Sequence, residues 1–179
     1  AQVMRRTGRI DILVNNAGFF NVARRPFWEI DLAEWDRIVS INIHTVFLCA
    51  RAAAQPMRAQ KSGRIVNISS NVVTFGMPNL MHYVAAKAAV VGMTRAMASE
   101  LGPFGITVNA VAPGLVATPA ARQSASQAIF DHALDKQRLK HVLTPDDVAA
   151  AVSCFCLPES RSITGQTLLV NGGDGFGGV

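Results

Sequence analysis

Three side chains near the middle of the chain could together move a proton onto or off a carbonyl or alcohol oxygen. Tyr83 follows Ser70 by thirteen positions, and Lys87 follows Tyr83 by four. Residues four apart share one face of a helix, so the Lys87 ammonium is expected beside the Tyr83 phenol. A free phenol has a pKa of about 10, and an adjacent cation lowers that pKa towards neutrality. Ser70, which ends the apolar run GRIVNISS, could donate a hydrogen bond to the same substrate oxygen.

Tyr-x-x-x-Lys by itself is equally typical of an ordinary amphipathic helix with a solvated lysine. Further motifs flank it, namely LVNNAG at 13–18, IN at 41–42 and PGLVAT at 113–118. In their order and spacing, these motifs with Ser70, Tyr83 and Lys87 resemble the classical short-chain dehydrogenases/reductases. The resemblance covers essentially the whole chain, down to ITGQTLLVNGG near its end.

Strand-like and helical segments alternate along the chain, which predicts an α/β fold with a doubly wound parallel sheet. The expected strands are IDILVNNAG, GRIVNIS, GITVNAVAPG and QTLLVNGG. Three helices are expected, which begin after Asp31, near Tyr83 and after the N-cap Thr144. Asp31 and Glu34 form a plausible capping arrangement at the start of the first. Residues 120–141 have the weakest pattern, and the resemblance implies a mobile lid over the substrate there. The whole of 1–179 is one partial Rossmann-like domain.

The resemblance implies a role for four residues. Tyr83 is the acid/base, Ser70 steadies the substrate oxygen, and Lys87 lowers the tyrosine pKa. Asn42 holds a water that links the lysine to a proton relay. A polar side chain within a helix can also bind the neighbouring backbone and bend the helix, which is the structural alternative for Asn42.

Hydride transfer to a carbonyl requires a cofactor, which the resemblance identifies as NAD or NADP. Tyr83 and Lys87 would reach the nicotinamide ribose, and Val116 and Thr118 would bond the carboxamide. The full set of expected cofactor-binding residues is Asn16, Ala17, Gly18, Tyr83, Lys87, Pro113, Gly114, Val116 and Thr118. Residues that separate NAD from NADP have no counterpart in this chain.

The resemblance implies that the first strands of the sheet and the glycine-rich phosphate turn are missing, about 60–70 residues in all. A truncated sequence is the favoured explanation over a short protein that has lost cofactor binding. The G-x-G-x-x-G at 173–178 is not the missing turn, because only Val179 follows it and no helix can begin there. We expect an exposed apolar sheet edge beside LVNN.

The substrate is expected to be a small carbonyl compound or alcohol. The region around Tyr83 is similar to dehydrogenases of pyridoxal, of aryl alcohols and of 3-oxoacyl thioesters alike, and the choice stays open. Apolar residues that flank the motifs suggest an apolar pocket, although core packing explains most of them equally well; they are Phe19, Phe20, Val72, Phe75, Met77 and Leu115.

Composition excludes several other classes of protein. The net charge of +5 is scattered without interleaved aromatic residues, which argues against nucleic-acid binding. No apolar run reaches the roughly 18 residues of a membrane span. The three cysteines, Cys49, Cys154 and Cys156, offer neither a disulfide framework nor a zinc site, so no metal is expected and a reducing cytoplasm fits best.

Small residues along the helix that contains Tyr83 permit close helix packing, and the resemblance implies a homodimer or homotetramer through such helices. They are Ala85, Ala86, Ala88, Ala89 and Gly92. A non-enzymatic alternative is a cofactor-free fragment that acts as an oligomerisation or regulatory partner for full-length relatives.

Overall fold

The computed structural model describes residues 2–20 and 22–176, which contain a single four-stranded sheet. The strands are β1 (Ile12–Asn15), β2 (Gly63–Ile68), β3 (Ile106–Pro113) and β4 (Thr167–Val170). They lie side by side in sequence order, and every neighbouring pair is parallel. Parallel pairing brings the carboxyl ends of all four strands to one edge of the sheet, where ligands of open α/β sheets bind.

Helices connect the strands and account for most of the remaining chain. They are α1 (Gln2–Thr7), α2 (Leu32–Val39), α3 (Thr45–Gln60), α4 (Val72–Phe75), α5 (Met81–Leu101), α6 (Pro119–Ser124), α7 (Gln127–Lys136) and α8 (Pro145–Cys156). Short 3₁₀ turns occupy Phe27–Glu29, Gly102–Phe104 and Pro158–Ser162. The weakly patterned segment 120–141 therefore contains α7 and all of α6 except its first residue.

Helices cover both faces of the sheet, which confirms the doubly wound architecture. On one face, Met57 of α3 and Leu101 of α5 pack with Ile65 of β2. On the other, Phe155 of α8 packs with Val66 of the same strand. Because β2 and β3 are buried on both faces, they read in the sequence as nearly continuous apolar runs.

Two helix starts follow from the sequence as expected. The Asp31 carboxylate accepts a hydrogen bond from the Glu34 amide at 2.7 Å, which fixes the start of α2. Thr144 and Asp147 form a reciprocal capping box at the start of α8, with Pro145 in the first turn.

The segment after Asp31 is not one regular helix. Residues Ser40–His44 form a π-helical turn between α2 and α3, and Asn42 lies fully buried within it. Its amide Nδ2 donates to the carbonyl of Ile38 at 3.1 Å, one turn earlier. The structural alternative considered for Asn42, binding to nearby helix backbone, is therefore realised.

The outer edge of β1 pairs with no other strand among the described residues. It is the exposed sheet edge that we expected beside LVNN. Ile12 and Val14 are 48% and 40% exposed. At the other end of the chain, Gly173 and Gly175 lie in turns after β4 with φ of 80° and 89°. The rest of the G-x-G-x-x-G, Gly177 and Gly178, lies with Val179 outside the described residues.

The helical run from Leu32 to Gln60 corrects one expectation. This run comprises α2, the π turn and α3, and an 18-residue window of it has a mean hydropathy of 1.2. By length and composition, the helix could therefore cross a membrane. Polar residues such as Asn42 and His44 interrupt the apolar sequence, and averaging over a window conceals these interruptions. Val46, Ala50, Ala53 and Met57 are buried within the domain, while 28% of the apolar window as a whole is buried in the single chain.

Candidate active site

Ser70 and Tyr83 converge at the carboxyl end of the sheet. Ser70 follows β2 and is 8% exposed, and Tyr83 lies in the first turn of α5. The Ser70 side chain lies close enough to the Tyr83 phenol to lower the pKa of that phenol, against the larger effect of burial. The Ser70 and Tyr83 side chains therefore lie at one site.

Lys87 lies one turn further along α5 and is only 6% exposed. Its Nζ donates to the carbonyl oxygen of Ile68 at 3.1 Å and lies 5.7 Å from the centre of the Tyr83 ring. Among the described residues, the Ile68 carbonyl is the one hydrogen-bond acceptor of this ammonium. An ammonium carries three N–H donors, so two remain for other oxygen atoms at the site.

The pKa of Tyr83 moves in the opposite direction from the sequence expectation. Burial raises the pKa of Tyr83 to about 12, and the neighbouring Ser70 side chain offsets only part of that increase. Burial also lowers the pKa of Lys87 to about 8. The expectation was wrong because it counted the charge of Lys87 and not the loss of water around the phenolate, which the sequence does not reveal.

Asn42 connects the helix that contains it to the loop after β1. Its Oδ1 accepts a hydrogen bond from the Phe19 amide at 3.1 Å. Its Nδ2 donates to the carbonyls of Phe19 and Ile38, both at 3.1 Å. Both amide protons are thus bound to backbone, and only Oδ1 can accept a further hydrogen bond.

A side chain at Gly18 would require Asn42 or Lys87 to shift by a few tenths of an ångström. A Cβ at this position would lie 3.1 Å from Oδ1 of Asn42 and 3.2 Å from Nζ of Lys87. The glycine of LVNNAG therefore allows the loop after β1 to run between these two polar groups. Asn16 and Ala17 precede it and are exposed at the end of the strand.

The loop after β3 forms another side of this edge. The Asn71 amide, next to Ser70, donates to the Pro113 carbonyl at 2.9 Å, which holds the ends of β2 and β3 together. Gly114 packs against Asn171, after β4. Val116 forms an isolated bridge with Leu143.

Thr118 has the structural role that PGLVAT would have as an ordinary turn followed by a helix cap. Its Oγ1 accepts a hydrogen bond from the Ala121 amide at 3.0 Å and so caps the start of α6. Since the cap uses the oxygen only as an acceptor, the hydroxyl proton remains available to a ligand.

The apolar residues expected to flank the substrate divide between separate surfaces. Phe19 lines an open cleft of about 410 Å³ together with Arg37, whose guanidinium lies 4.6 Å from the Phe19 ring centre. Met77 lines another of about 420 Å³ with Trp28. Phe20 and Phe75 are 45% and 47% exposed, and Val72 and Leu115 are half-buried.

Sequence reasoning missed the groups that fix the site from the backbone. The carbonyl of Ile68 binds Lys87, but a backbone acceptor carries no residue signal. A buried polar ladder also crosses the sheet, because Asn15 donates to Asn67 at 2.8 Å and Asn67 donates to Thr94 of α5 at 2.9 Å. Asparagine within an apolar strand was the available signal for this ladder.

Comparison with known proteins connects this geometry to a family. Residues 1–174 match the family described as Enoyl-(Acyl carrier protein) reductase. The chain is 38% identical over 179 residues to the short-chain reductase protein NovJ of Streptomyces niveus, covering 97% of this chain and 67% of that protein. It is 38% identical over 172 residues to the 3-oxoacyl-[acyl-carrier-protein] reductase FabG of Staphylococcus epidermidis, covering 96% and 69%. The chain thus spans about two thirds of the length of these relatives.

Solved structures agree with this assignment. ElxO with NADP bound is 30% identical and matches with a TM-score of 0.90, covering 97% of this chain and 70% of that chain. Acetoin dehydrogenase from Enterobacter cloacae is 36% identical with a TM-score of 0.84, covering 97% and 67%.

The buried Lys87 predicts how stability depends on pH. Its pKa is about 8 in the folded chain against an ordinary value of 10.5, so between these values the unfolded chain binds more protons. The free energy of unfolding should therefore rise between about pH 8 and pH 10, with about 3 kcal/mol as the full effect of this group.

Urea unfolding across this pH range measures the effect. The rise attributable to Lys87 should be absent in Lys87→Met, whose thioether does not titrate, and present in the control Lys136→Met, which changes an exposed lysine. Identical pH profiles for wild type and Lys87→Met would show that the ammonium is not buried.

Proposed function

Because the chain belongs to the short-chain dehydrogenase/reductase family, we propose that it interconverts a carbonyl compound and an alcohol with NAD or NADP. The observation that supports this most strongly is the convergence of the Ser70 and Tyr83 hydroxyls beside the buried ammonium of Lys87. A set of catalytic side chains held in one place also argues for an enzyme over the non-enzymatic alternative.

The residues at this edge of the sheet fit the nicotinamide and ribose end of such a cofactor. When bound, the nicotinamide supplies or accepts the hydride. Lys87 has two N–H donors left for ribose hydroxyls, and the Tyr83 phenol lies beside it. The missing side chain of Gly18 leaves space next to both Lys87 and Asn42.

The loop after β3 would hold the carboxamide of the nicotinamide. The hydroxyl of Thr118 retains its proton after capping α6, and the backbone of Val116 lies two residues before it. Pro113 and Gly114 connect this loop to the strand, while Asn16 and Ala17 would border the cofactor from the end of β1. These residues accept either NAD or NADP.

Tyr83 acts as the proton donor when a carbonyl is reduced. A pKa near 12 keeps the phenol protonated at neutral pH, so it can give its proton to the carbonyl oxygen. Ser70 donates a hydrogen bond to the same oxygen and stabilises its developing negative charge. Lys87, whose Nζ faces the phenol ring, stabilises the phenolate that remains.

Asn42 supports this proton transfer indirectly. It fixes the loop that contains Gly18 beside the lysine, through its two hydrogen bonds to Phe19. The free lone pair of Oδ1 can accept a hydrogen bond from a water that returns a proton towards Lys87.

The substrate is a small molecule with a carbonyl or alcohol group. The three free cysteines fit a cytoplasmic location.

Replacing the phenol tests the catalytic assignment. Tyr83→Phe removes one hydroxyl and should lower kcat by about 10²–10⁴-fold or more, because general acid catalysis is lost while the ring still packs. Ser62→Ala, a hydroxyl removed at the opposite end of β2, should leave kcat unchanged. Turnover of the cofactor-loaded enzyme with a panel of ketones and aldehydes is the measurement, and a Tyr83→Phe enzyme as fast as wild type would falsify the assignment.

We also propose that the chain forms a homodimer or homotetramer through α3 and α5. Phe47 and Leu48 of α3 are 51% and 56% exposed, a large apolar area for one helix of a monomer. On α5, Ala85, Ala88 and Gly92 are exposed small residues, which allow two helices to approach closely.

Filling the small-residue surface should dissociate the oligomer. A Cβ at Gly92 meets no atom within 4 Å in the single chain, so Gly92→Leu should fold but prevent close helix packing. Ala150→Leu, on an exposed position of α8, is the control and should leave the assembly intact. Light scattering reads the mass of each variant, and an unchanged oligomer in Gly92→Leu would place the interface elsewhere.

A further inference from the structure

The residue between Ile68 and Ser70 has no assigned role, yet it makes a specific contact with α5. Ser69 is 2% exposed, and its Oγ donates a hydrogen bond to the main-chain carbonyl of Lys87 at 2.9 Å. Its own backbone amide donates to the carbonyl of Val111 in β3 at 2.8 Å. Ser69 is therefore anchored in the sheet and bonded to the helix at the lysine itself.

Three consecutive residues at the end of β2 contact the same face of α5. The Ile68 carbonyl accepts from Nζ of Lys87, and Ser69 donates to the carbonyl of Lys87. Ser70 lies close enough to the phenol of Tyr83 to lower its pKa. Lys87 is thus held at both ends, by its ammonium and by its backbone. The lysine side chain is flexible, whereas the Ser69 bond reaches the helix backbone and so restrains the position of this turn of α5 against the strand.

We propose that Ser69 is a positioning residue that fixes the register of α5 against β2. This register keeps the Lys87 ammonium beside the Tyr83 ring and keeps the Tyr83 phenol beside Ser70. Its catalytic consequence rests on the proposed function, because it matters only if Tyr83 and Lys87 carry out the reaction. The structural part of the proposal stands without that function. Ser69 itself does not touch the expected substrate position; it acts through Lys87.

The same strand and helix offer a matched control. Asn67, two residues before Ser69, donates to Oγ1 of Thr94 at 2.9 Å, and Thr94 is fully buried. This bond also joins β2 to α5, but it lies seven residues, about two turns, beyond Lys87 and therefore further along the helix from Tyr83. Thr94→Val removes a buried strand-to-helix hydrogen bond of the same kind without touching the lysine.

The experiment compares Ser69→Ala with Thr94→Val by two readouts. The first is the titration of Lys87, followed by NMR of protein with labelled lysine side chains and assigned by the loss of its signal in Lys87→Met. Ser69→Ala should raise the midpoint of the Lys87 titration above about pH 8. Without the Ser69 hydrogen bond, α5 loses an anchor to β2 at Lys87, and the ammonium regains contact with water. Thr94→Val should leave that midpoint in place.

The second readout is turnover of the cofactor-loaded enzyme. Ser69→Ala should lower kcat by about 10- to 100-fold with little change in KM, since a small misplacement of reacting groups is costly, and Thr94→Val should keep wild-type kcat. Should Ser69→Ala fail to fold, Ser69→Cys, a weaker donor at the same position, is measured by the same criteria.

Two results would overturn the proposal. One is an unchanged Lys87 midpoint in a folded Ser69 variant; the other is an equal change in Thr94→Val, which would make Ser69 an ordinary stability contact. A wild-type enzyme without turnover would instead count against the proposed function, while the NMR comparison would still decide the role of Ser69.

Discussion

Burying an ammonium group beside a phenol is the constraint on which the rest of this site depends. A charged lysine is costly to remove from water unless it has partners. Here Lys87 has the carbonyl of Ile68 at 3.1 Å and the Tyr83 ring nearby, and Gly18 leaves the remaining side open. Each neighbouring element, from the loop after β1 to the end of β2, is placed so that this lysine keeps its partners.

Burial favours the neutral forms of both titratable groups. The phenol becomes harder to ionise and the ammonium becomes easier to deprotonate, which are opposite pKa shifts with one cause. The site therefore holds a neutral proton donor at neutral pH, a state suited to giving a proton to a carbonyl oxygen. The nearby charge of Lys87 becomes most useful once the phenolate begins to form.

Much of the fold could be predicted from the sequence, because its signals are local. Alternating apolar segments indicated the parallel sheet, and Asp31 and Thr144 marked helix starts through capping chemistry. The resemblance to the short-chain dehydrogenases/reductases led us to expect Ser70 and Tyr83 at one site. Asn42 indicated backbone binding and a bend in the helix, but not that the distortion is a π turn. The direction of the Tyr83 pKa shift could not be predicted, since it depends on burial that residue patterns do not describe.

The ionisation of Tyr83 tests the central claim most directly, because it is the sole tyrosine of the chain. Ultraviolet absorbance of the phenolate, with circular dichroism to verify the fold at each pH, follows this one group. A buried phenol with a pKa of about 12 should remain mostly neutral at about pH 11. A folded chain whose tyrosine is mostly ionised at that pH, as a solvated phenol would be, would contradict a buried proton donor at this site.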